Sequence, residues 1–369
     1  MKKLPDTIAD ARLRPIARRV WEGRPVSGAD ALLMLNSSSI LDLGRLASFV
    51  RGKLHGDAAY YGVSMNLNFT NICELRCPLC AFSRDAGRKD AYLLTLADME
   101  RRVKKAAAAG VDEVHIVGGL HPDLPLSYFE DLLRSVKRIA PRMFVTAFTA
   151  VEIDYFSRRE GIAPEETLRR LMAAGLGAMP GGGAEIFAPR VRKIIAPKKI
   201  SGKRWLEIMR AAHGLGLKTN ATMLYNHVEK PADVVDHLAR LRALQEETGG
   251  FKTFVPLAYH DANTGVPARR RSTTGFDDIR VYAAARVFLH NIPHLKALWM
   301  YVGEKMAQTL LNFGVDDFSG TYSGERVVHA AGAATADRGS EEFLRELIKD
   351  AGFRPVRVNA SYEPCGRRA

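Results

Sequence analysis

The stretch VSMNLNFTNICELRCPLC, residues 63–80, decides the fold. Its first seven residues, Val63 to Phe69, alternate with period two, the pattern of a β-strand. Directly behind them Cys73, Cys77 and Cys80 place three of the chain's four cysteines within eight residues. A strand that hands over to a thiol-rich loop raises two questions. Does the chain go on repeating strand and helix, and does the thiol loop fall on the face where such repeats gather their chemistry?

Working outward, the alternation continues. Apolar periodicity and cap residues predict helices over Leu96–Ala109, Leu126–Ile139, Pro164–Ala174, Lys203–Leu215, Ala232–Glu247, Asp277–Asn291 and Glu304–Phe313. Between them the strand pattern recurs at Glu113–Val117, Phe144–Phe148, Leu176–Met179, Thr219–Tyr225, Phe251–Leu257, Leu295–Met300 and Asp316–Gly320. Eight strands alternating with helices over about 260 residues imply a parallel sheet, and a closed (β/α)8 TIM-type barrel suits the count better than an open sheet. Residues 1–61 read as a helical N-terminal extension, with Ser27 capping a helix at Gly28–Leu35 and helical spacing over Asp6–Glu22. Residues 62–320 read as the barrel. Residues 321–369 read as a small C-terminal extension with a helix at Glu341–Ala351 and a strand at Pro355–Val358. Arg269-Arg270-Arg271 falls in an expected loop.

Composition narrows the class. With 47% apolar and 26% charged residues in 369, the chain is of globular type. No run of about 18 uncharged apolar residues occurs, so no membrane span or membrane partner is expected. MKKLPDTIADARLRPIARRV has no apolar signal core, and four cysteines are few, so the expected location is the reducing cytoplasm, where clustered thiols serve as metal ligands. The net charge of +13 raises nucleic acid as a partner. Aromatic residues are not interleaved with the basic ones, and no nucleic-acid partner is expected; a basic surface with a pocket for a small anion remains.

Three thiols spaced by three and then two residues suit a loop wrapped around a soft-metal centre. A structural zinc site takes four ligands, and Cys365, beside the Arg-Arg-Ala end, is badly placed to be the fourth; it reads as a free surface thiol. A cubane iron–sulfur cluster also takes four cysteines as a rule, so three would leave one iron open. The loop follows the first barrel strand, on the face that carries barrel active sites. Open-site cluster, zinc and chance clustering are the three readings, and placement favours the first.

The spacing resembles the signature of the radical S-adenosylmethionine (SAM) superfamily. That resemblance implies a 4Fe-4S cluster on Cys73, Cys77 and Cys80, with the open iron holding SAM. An electron from a donor such as flavodoxin or ferredoxin then releases a 5′-deoxyadenosyl radical. This chain has Leu79 where many members have an aromatic residue, and Phe82 is either a substitute contact to SAM or a packing residue. Gly118-Gly119, at a strand end, is either a plain turn or backbone that approaches the SAM amino group, with Leu120 in place of the usual carboxylate. Glu185, after Gly181-Gly182-Gly183, is either a solvated turn residue or an acceptor for the ribose hydroxyls. Arg192 is a surface residue or a partner of the SAM carboxylate. The backbone around Met223, Leu224 and Tyr225 reads adenine in this superfamily, although core packing explains those side chains equally well. His260 and His121 are candidates for substrate contact or proton transfer.

Longer stretches narrow the resemblance. CPLCAFSRDAGRKDAYLLT (77–95), HIVGGLHPDLP (115–125), AFTAVEID (147–154), PGGGAEIF (180–187) and PKKISGKRWLEIMRAAHGLGLKTNATMLY (197–225) resemble the aminofutalosine synthases of menaquinone biosynthesis. Asn226 stands where glycine is expected. The resemblance implies addition of the adenosyl radical to the vinyl carbon of 3-((1-carboxyvinyl)oxy)benzoate, aryl migration and loss of a carboxylate, giving 6-amino-6-deoxyfutalosine. The sister cyclase of that pathway, a deazaflavin-precursor synthase and a zinc-stabilised binding protein are the alternatives.

Overall fold

The computed structural model describes residues 3–269, 273–321, 324–335 and 339–365. Arg270 and Arg271 of the basic triplet lie outside the described residues. The strands are β1 (Ala58–Gly62), β2 (Ser64–Leu67), β3 (Glu113–Ile116), β4 (Phe144–Ala147), β5 (Ala178–Met179), β6 (Lys218–Tyr225), β7 (Phe251–Ala258), β8 (His294–Leu295), β9 (Asp317–Gly320) and β10 (Arg354–Arg357). Strands β2 to β8 pair in chain order, all parallel, in one sheet. A helix returns the chain between successive strands. With every crossover of the same hand, the helices fall on one face and the sheet curls into a half-barrel.

The closed eight-strand ladder is corrected in one respect. The eighth strand, β9, pairs with β1 in a separate three-stranded sheet of order β10-β1-β9. It touches the seventh only through the isolated bridge Lys296–Asp317 and the Ala297 N–H bond to Asp317 O, 2.9 Å. The cause lies in β8. Trp299 is buried, and its indole N–H donates to Gly320 O at 2.9 Å. This turns the chain into a helix at Trp299–Val302 where strand was expected up to Met300. Thr321 seals the other side, donating its N–H to Gly62 O at 3.2 Å and accepting from Ser64 N at 3.1 Å.

The N-terminal extension is helical except at its end. Asp6–Glu22 resolves into a 3-10 turn at Leu4–Thr7 and a helix at Arg14–Trp21. Ser27 caps Gly28–Leu35 by accepting from Asp30 N, with Asp30 reciprocating. A further helix, Ile40–His55, leads into β1, which the reading of the first sixty residues as helical had hidden. Buried Arg51 fixes this helix to the barrel base, donating to Val315 O, Gly56 O and Ala58 O. Beside it Asp316 accepts from Arg286 and from His294 Nδ1 at 2.6 Å, while His55 Nε2 bonds Pro293 O at 2.9 Å. His55, His294 and Asp316 have ligand atoms within 4.8 Å of one another, but these polar groups satisfy each other without an ion.

Between β4 and β6 two helices were not foreseen. Ala150–Glu160 is buried on every side from Ala150 to Ser157, so it has no polar stripe to reveal its period. Pro189–Ile195 is a short turn of helix opened by proline. No helix among the described residues is long and apolar enough to cross a membrane.

Candidate active site

The loops after β2, β3, β4, β5 and β7, with Leu224 of β6, surround one cavity of about 270 Å³ at the C-terminal rim of the sheet. All three clustered cysteines line it; Cys77 is buried, and Cys73 and Cys80 are half-buried. Their loop is held at each point. Cys73 N donates to Arg84 O (3.1 Å), Glu74 N to Leu120 O (3.1 Å), Leu79 N to Ile195 O (3.1 Å) and Cys80 N to Cys77 O (2.9 Å). Arg76 takes φ 47°, and its guanidinium donates to Ser83 O at 2.7 Å. Burial pushes the Cys77 thiol up to about 11, against the pull of the Lys199 ammonium.

The three thiols suit a soft-metal centre: all of them line one cavity, and they would serve three corners of a cubane with the fourth iron left open.

Gly118 and Gly119 line the cavity. A Cβ on Gly119 would stand 2.1 Å from Ile72 O and 3.0 Å from Cys73 Cβ, so glycine is required for the cysteine loop to cross here. The carboxylate missing at Leu120 has a counterpart from the next strand. Glu152 lines the cavity and accepts from Thr149 N at 2.7 Å and Gly118 N at 3.3 Å. Burial raises its pKa to about 7 in spite of these bonds. The Thr149-Ala-Val-Glu152 capping box was the sequence signal that could have found it.

Glu185 also lines the cavity, at φ 46°, an uncommon conformation for a non-glycine residue. Lys199, which sequence reasoning missed, bonds it at 2.6 Å. Burial opposes the Glu185 charge, but the Lys199 ammonium outweighs it and holds the carboxyl below its ordinary value. Burial likewise opposes the Lys199 charge, and Glu185 with the nearby thiols raises it above the ordinary lysine value. Gly183, at φ 83°, supplies the turn before Glu185.

Arg192 is the clearest correction. Its guanidinium donates to the carbonyls of Gly183, Ala184, Ile186 and Ile200 and does not line the cavity. It clamps the loop that carries Glu185. On β6 only Leu224 of the expected trio reaches the cavity. Met223 and Tyr225 alternate to the other face, where Tyr225 donates to Asp278 at 2.6 Å. Asn226 takes φ 76°, a conformation asparagine tolerates nearly as well as the expected glycine. Phe82 and His260 line the cavity, and His260 Nε2 bonds Tyr301 O at 2.9 Å. His121 stays outside it, with Nδ1 accepting from Asp123 N at 3.2 Å. Cys365 is a free, half-buried thiol far along the chain from the others.

A three-thiol loop and a glycine crossing at the rim of a curled parallel sheet define the radical SAM class. Residues 67–241 match the family model of the radical SAM superfamily, and residues 248–367 match that of the CofH/MqnC C-terminal region. Aminodeoxyfutalosine synthase of Thermus thermophilus is 43% identical over 358 residues, 96% of each chain. The 5-amino-6-(D-ribitylamino)uracil–L-tyrosine 4-hydroxyphenyl transferase of Methanopyrus kandleri is 40% identical over 324 residues, 87% of this chain and 88% of that one. Among solved structures, the hydrogenase maturase HydG of Carboxydothermus hydrogenoformans superimposes with a TM-score of 0.75 at 17% identity, covering 97% of this chain and 83% of that chain. The chain belongs to the radical SAM superfamily and, within it, to the aminodeoxyfutalosine synthase family.

Proposed function

We propose that the protein joins the 5′-deoxyadenosyl group of SAM to 3-((1-carboxyvinyl)oxy)benzoate, with aryl migration and loss of a carboxylate, to give 6-amino-6-deoxyfutalosine. The observation that carries the reading is the three-cysteine cavity in a chain 43% identical to an aminodeoxyfutalosine synthase along nearly its whole length. With the 4Fe-4S cluster and SAM bound, and an electron from a donor such as flavodoxin or ferredoxin, the site is supplied with a carbon-centred adenosyl radical.

The protein's own groups bind, orient and exclude water. Cys73, Cys77 and Cys80 would hold the cluster, and the half-buried Lys199 lines the same cavity as a counter-charge. Glu185 accepts from the ribose hydroxyls, Gly118 and Gly119 face the amino group of SAM, and Glu152 adds a carboxylate on that side. Phe82 and the Leu224 backbone flank the adenosyl group, and His260 borders the substrate. The cavity wall is largely apolar, with Leu75, Leu79, Val117, Val151 and Leu257, which suits a radical that must not meet water or stray hydrogen donors.

The test offers the reconstituted protein SAM and dithionite with either the carboxyvinyloxybenzoate or tyrosine plus 5-amino-6-(ribitylamino)uracil. Liquid chromatography with mass spectrometry should show an adenine-containing adduct with the first set only. Adduct formation with tyrosine, or none with the benzoate, would overturn the reading.

A further inference from the structure

The eighth strand leaves the main sheet, yet the segment behind it returns to the cavity. Beyond β9 the chain runs through Gly324–Thr335, with one helical turn at Val327–Ala330. Val327, Val328 and Ala331 line the cavity that holds the three thiols, and Val328 is buried. Other residues of the segment line two outer clefts. Glu325, Arg326, His329 and Ala330 border one, which shares Phe82 with the cavity. Ala333, Ala334 and Thr335 border the other, which shares Ala258, Tyr259, His260 and Tyr301 with it. The segment is therefore a strap between the cavity and two outer clefts, with an apolar inner side.

Polar ties hold the strap along its length. Glu325 caps the turn, accepting from Val327 N at 2.8 Å and from Val328 N at 3.2 Å. The Arg326 guanidinium stands 5.2 Å from the centre of the Tyr92 ring, and the Tyr92 hydroxyl donates to Asn68 O at 3.0 Å. Asn263 Nδ2 donates to Ala330 O at 3.1 Å, and Thr335 Oγ1 donates to Met300 O at 3.0 Å. His329 Nε2 bonds Thr335 O at 3.0 Å. These ties leave the inward side chains of Val327, Val328 and Ala331 nothing to offer but apolar surface.

The place of the strap decides what that surface meets. Strands β2 to β8 take seven places around the curl. β9 takes the eighth, bridged to the β8 side through Lys296–Asp317, while Thr321 behind it bonds Ser64 of β2. The eighth place stands opposite the fourth, β5, whose following loop carries Glu185. With SAM against the loops after β3, β4 and β5, the strap faces the other reactant.

We propose that Val327, Val328 and Ala331 are specificity-determining residues: they form the wall against the aromatic ring of the benzoate substrate and set how wide a ring the cavity accepts. The inference rests on the proposed function. One methylene more or less in an apolar pocket changes discrimination by roughly 10–200-fold, so single side chains on this wall are enough to move it. The same wall keeps the ring in place while the aryl group migrates.

The test compares carboxyvinyloxybenzoate with its naphthoate counterpart, one fused ring wider, as substrates of the cluster-loaded protein with SAM and dithionite. The variants are Val328→Ala, which widens the wall, and Ala331→Leu, which narrows it; thermal unfolding checks that each folds, and either alone suffices. Val328→Ala should shift the ratio of kcat/KM values toward the naphthoate by about tenfold. Ala331→Leu should raise KM for the benzoate by about tenfold, with a smaller fall in kcat. SAM affinity, read by calorimetry without reductant, should stay close to wild type in both. An unchanged ratio and KM in the folded variants overturns the wall, as does weakened SAM binding with the ratio unchanged, which would put SAM against the strap. Failure of the wild-type protein to convert the benzoate overturns the functional reading, and the assignment of the wall with it.

Discussion

Lys199 Nζ stands 2.6 Å from Glu185 Oε1 on the wall that also carries Cys77 and Cys80. Glu185 is buried and Lys199 half-buried, so each charge depends largely on the other for its solvation. Lys199→Met should therefore destabilise the fold by about 3 kcal/mol, leaving Glu185 charged and unpaired. Adding Glu185→Gln should return part of that loss. Urea unfolding of the two single variants and the double variant measures the coupling, and additive effects would show that the pair is not coupled. Both single variants should also weaken SAM binding.

Glu152 sets a pH dependence. Its carboxyl rises to about 7 in the folded state from an ordinary value of 4.5. A raised folded pKa means that the native protein holds a proton the unfolded chain has released. The stability from this proton is fully present below about pH 4.5 and is lost as pH rises through about 7. Glu152→Gln, which cannot ionise, should flatten that part of the stability curve. Unfolding midpoints at pH 5, 6, 7 and 8 check this; parallel curves for both proteins would remove Glu152 as the source.

Gly119→Ala puts a Cβ 2.1 Å from the Ile72 carbonyl oxygen, and backbone has to move. The expected cost is about 1–3 kcal/mol, as for overpacked cores generally. Because the displaced segment leads straight into Cys73, iron content after reconstitution should fall as well. Full iron loading with wild-type stability would show that the crossing has room to spare.

Cys77→Ala should lose the brown chromophore and all SAM cleavage, whereas wild type should take up about four irons per chain. Cys365→Ala should change neither. Loss of cluster in Cys365→Ala would make that thiol a fourth ligand and close the open iron site.

The half-barrel was legible in the sequence wherever a strand was long enough to show its period, as at Val63–Phe69 and Thr219–Tyr225. At β8 the expected strand Leu295–Met300 ran too long, because the burial of Trp299 turns the chain into a helix. The thiol loop was legible because ligand spacing is local. Glu152 and Lys199 were not, because they meet the cavity only through packing of separate loops. Arg192 was read as an anion partner because spacing says nothing about carbonyls; four of them take its guanidinium.

The central claim is that this cavity makes a bond from C5′ of SAM to carbon. Supplying SAM labelled with 13C at C5′, dithionite and carboxyvinyloxybenzoate labelled with 13C at its vinyl methylene carbon, and reading the product by 13C NMR, tests it most directly. The expected result is a methylene resonance coupled to a new carbon neighbour, in a product that contains adenine and the benzoate ring. Label recovered only as the methyl group of 5′-deoxyadenosine, with the benzoate unchanged, would contradict it.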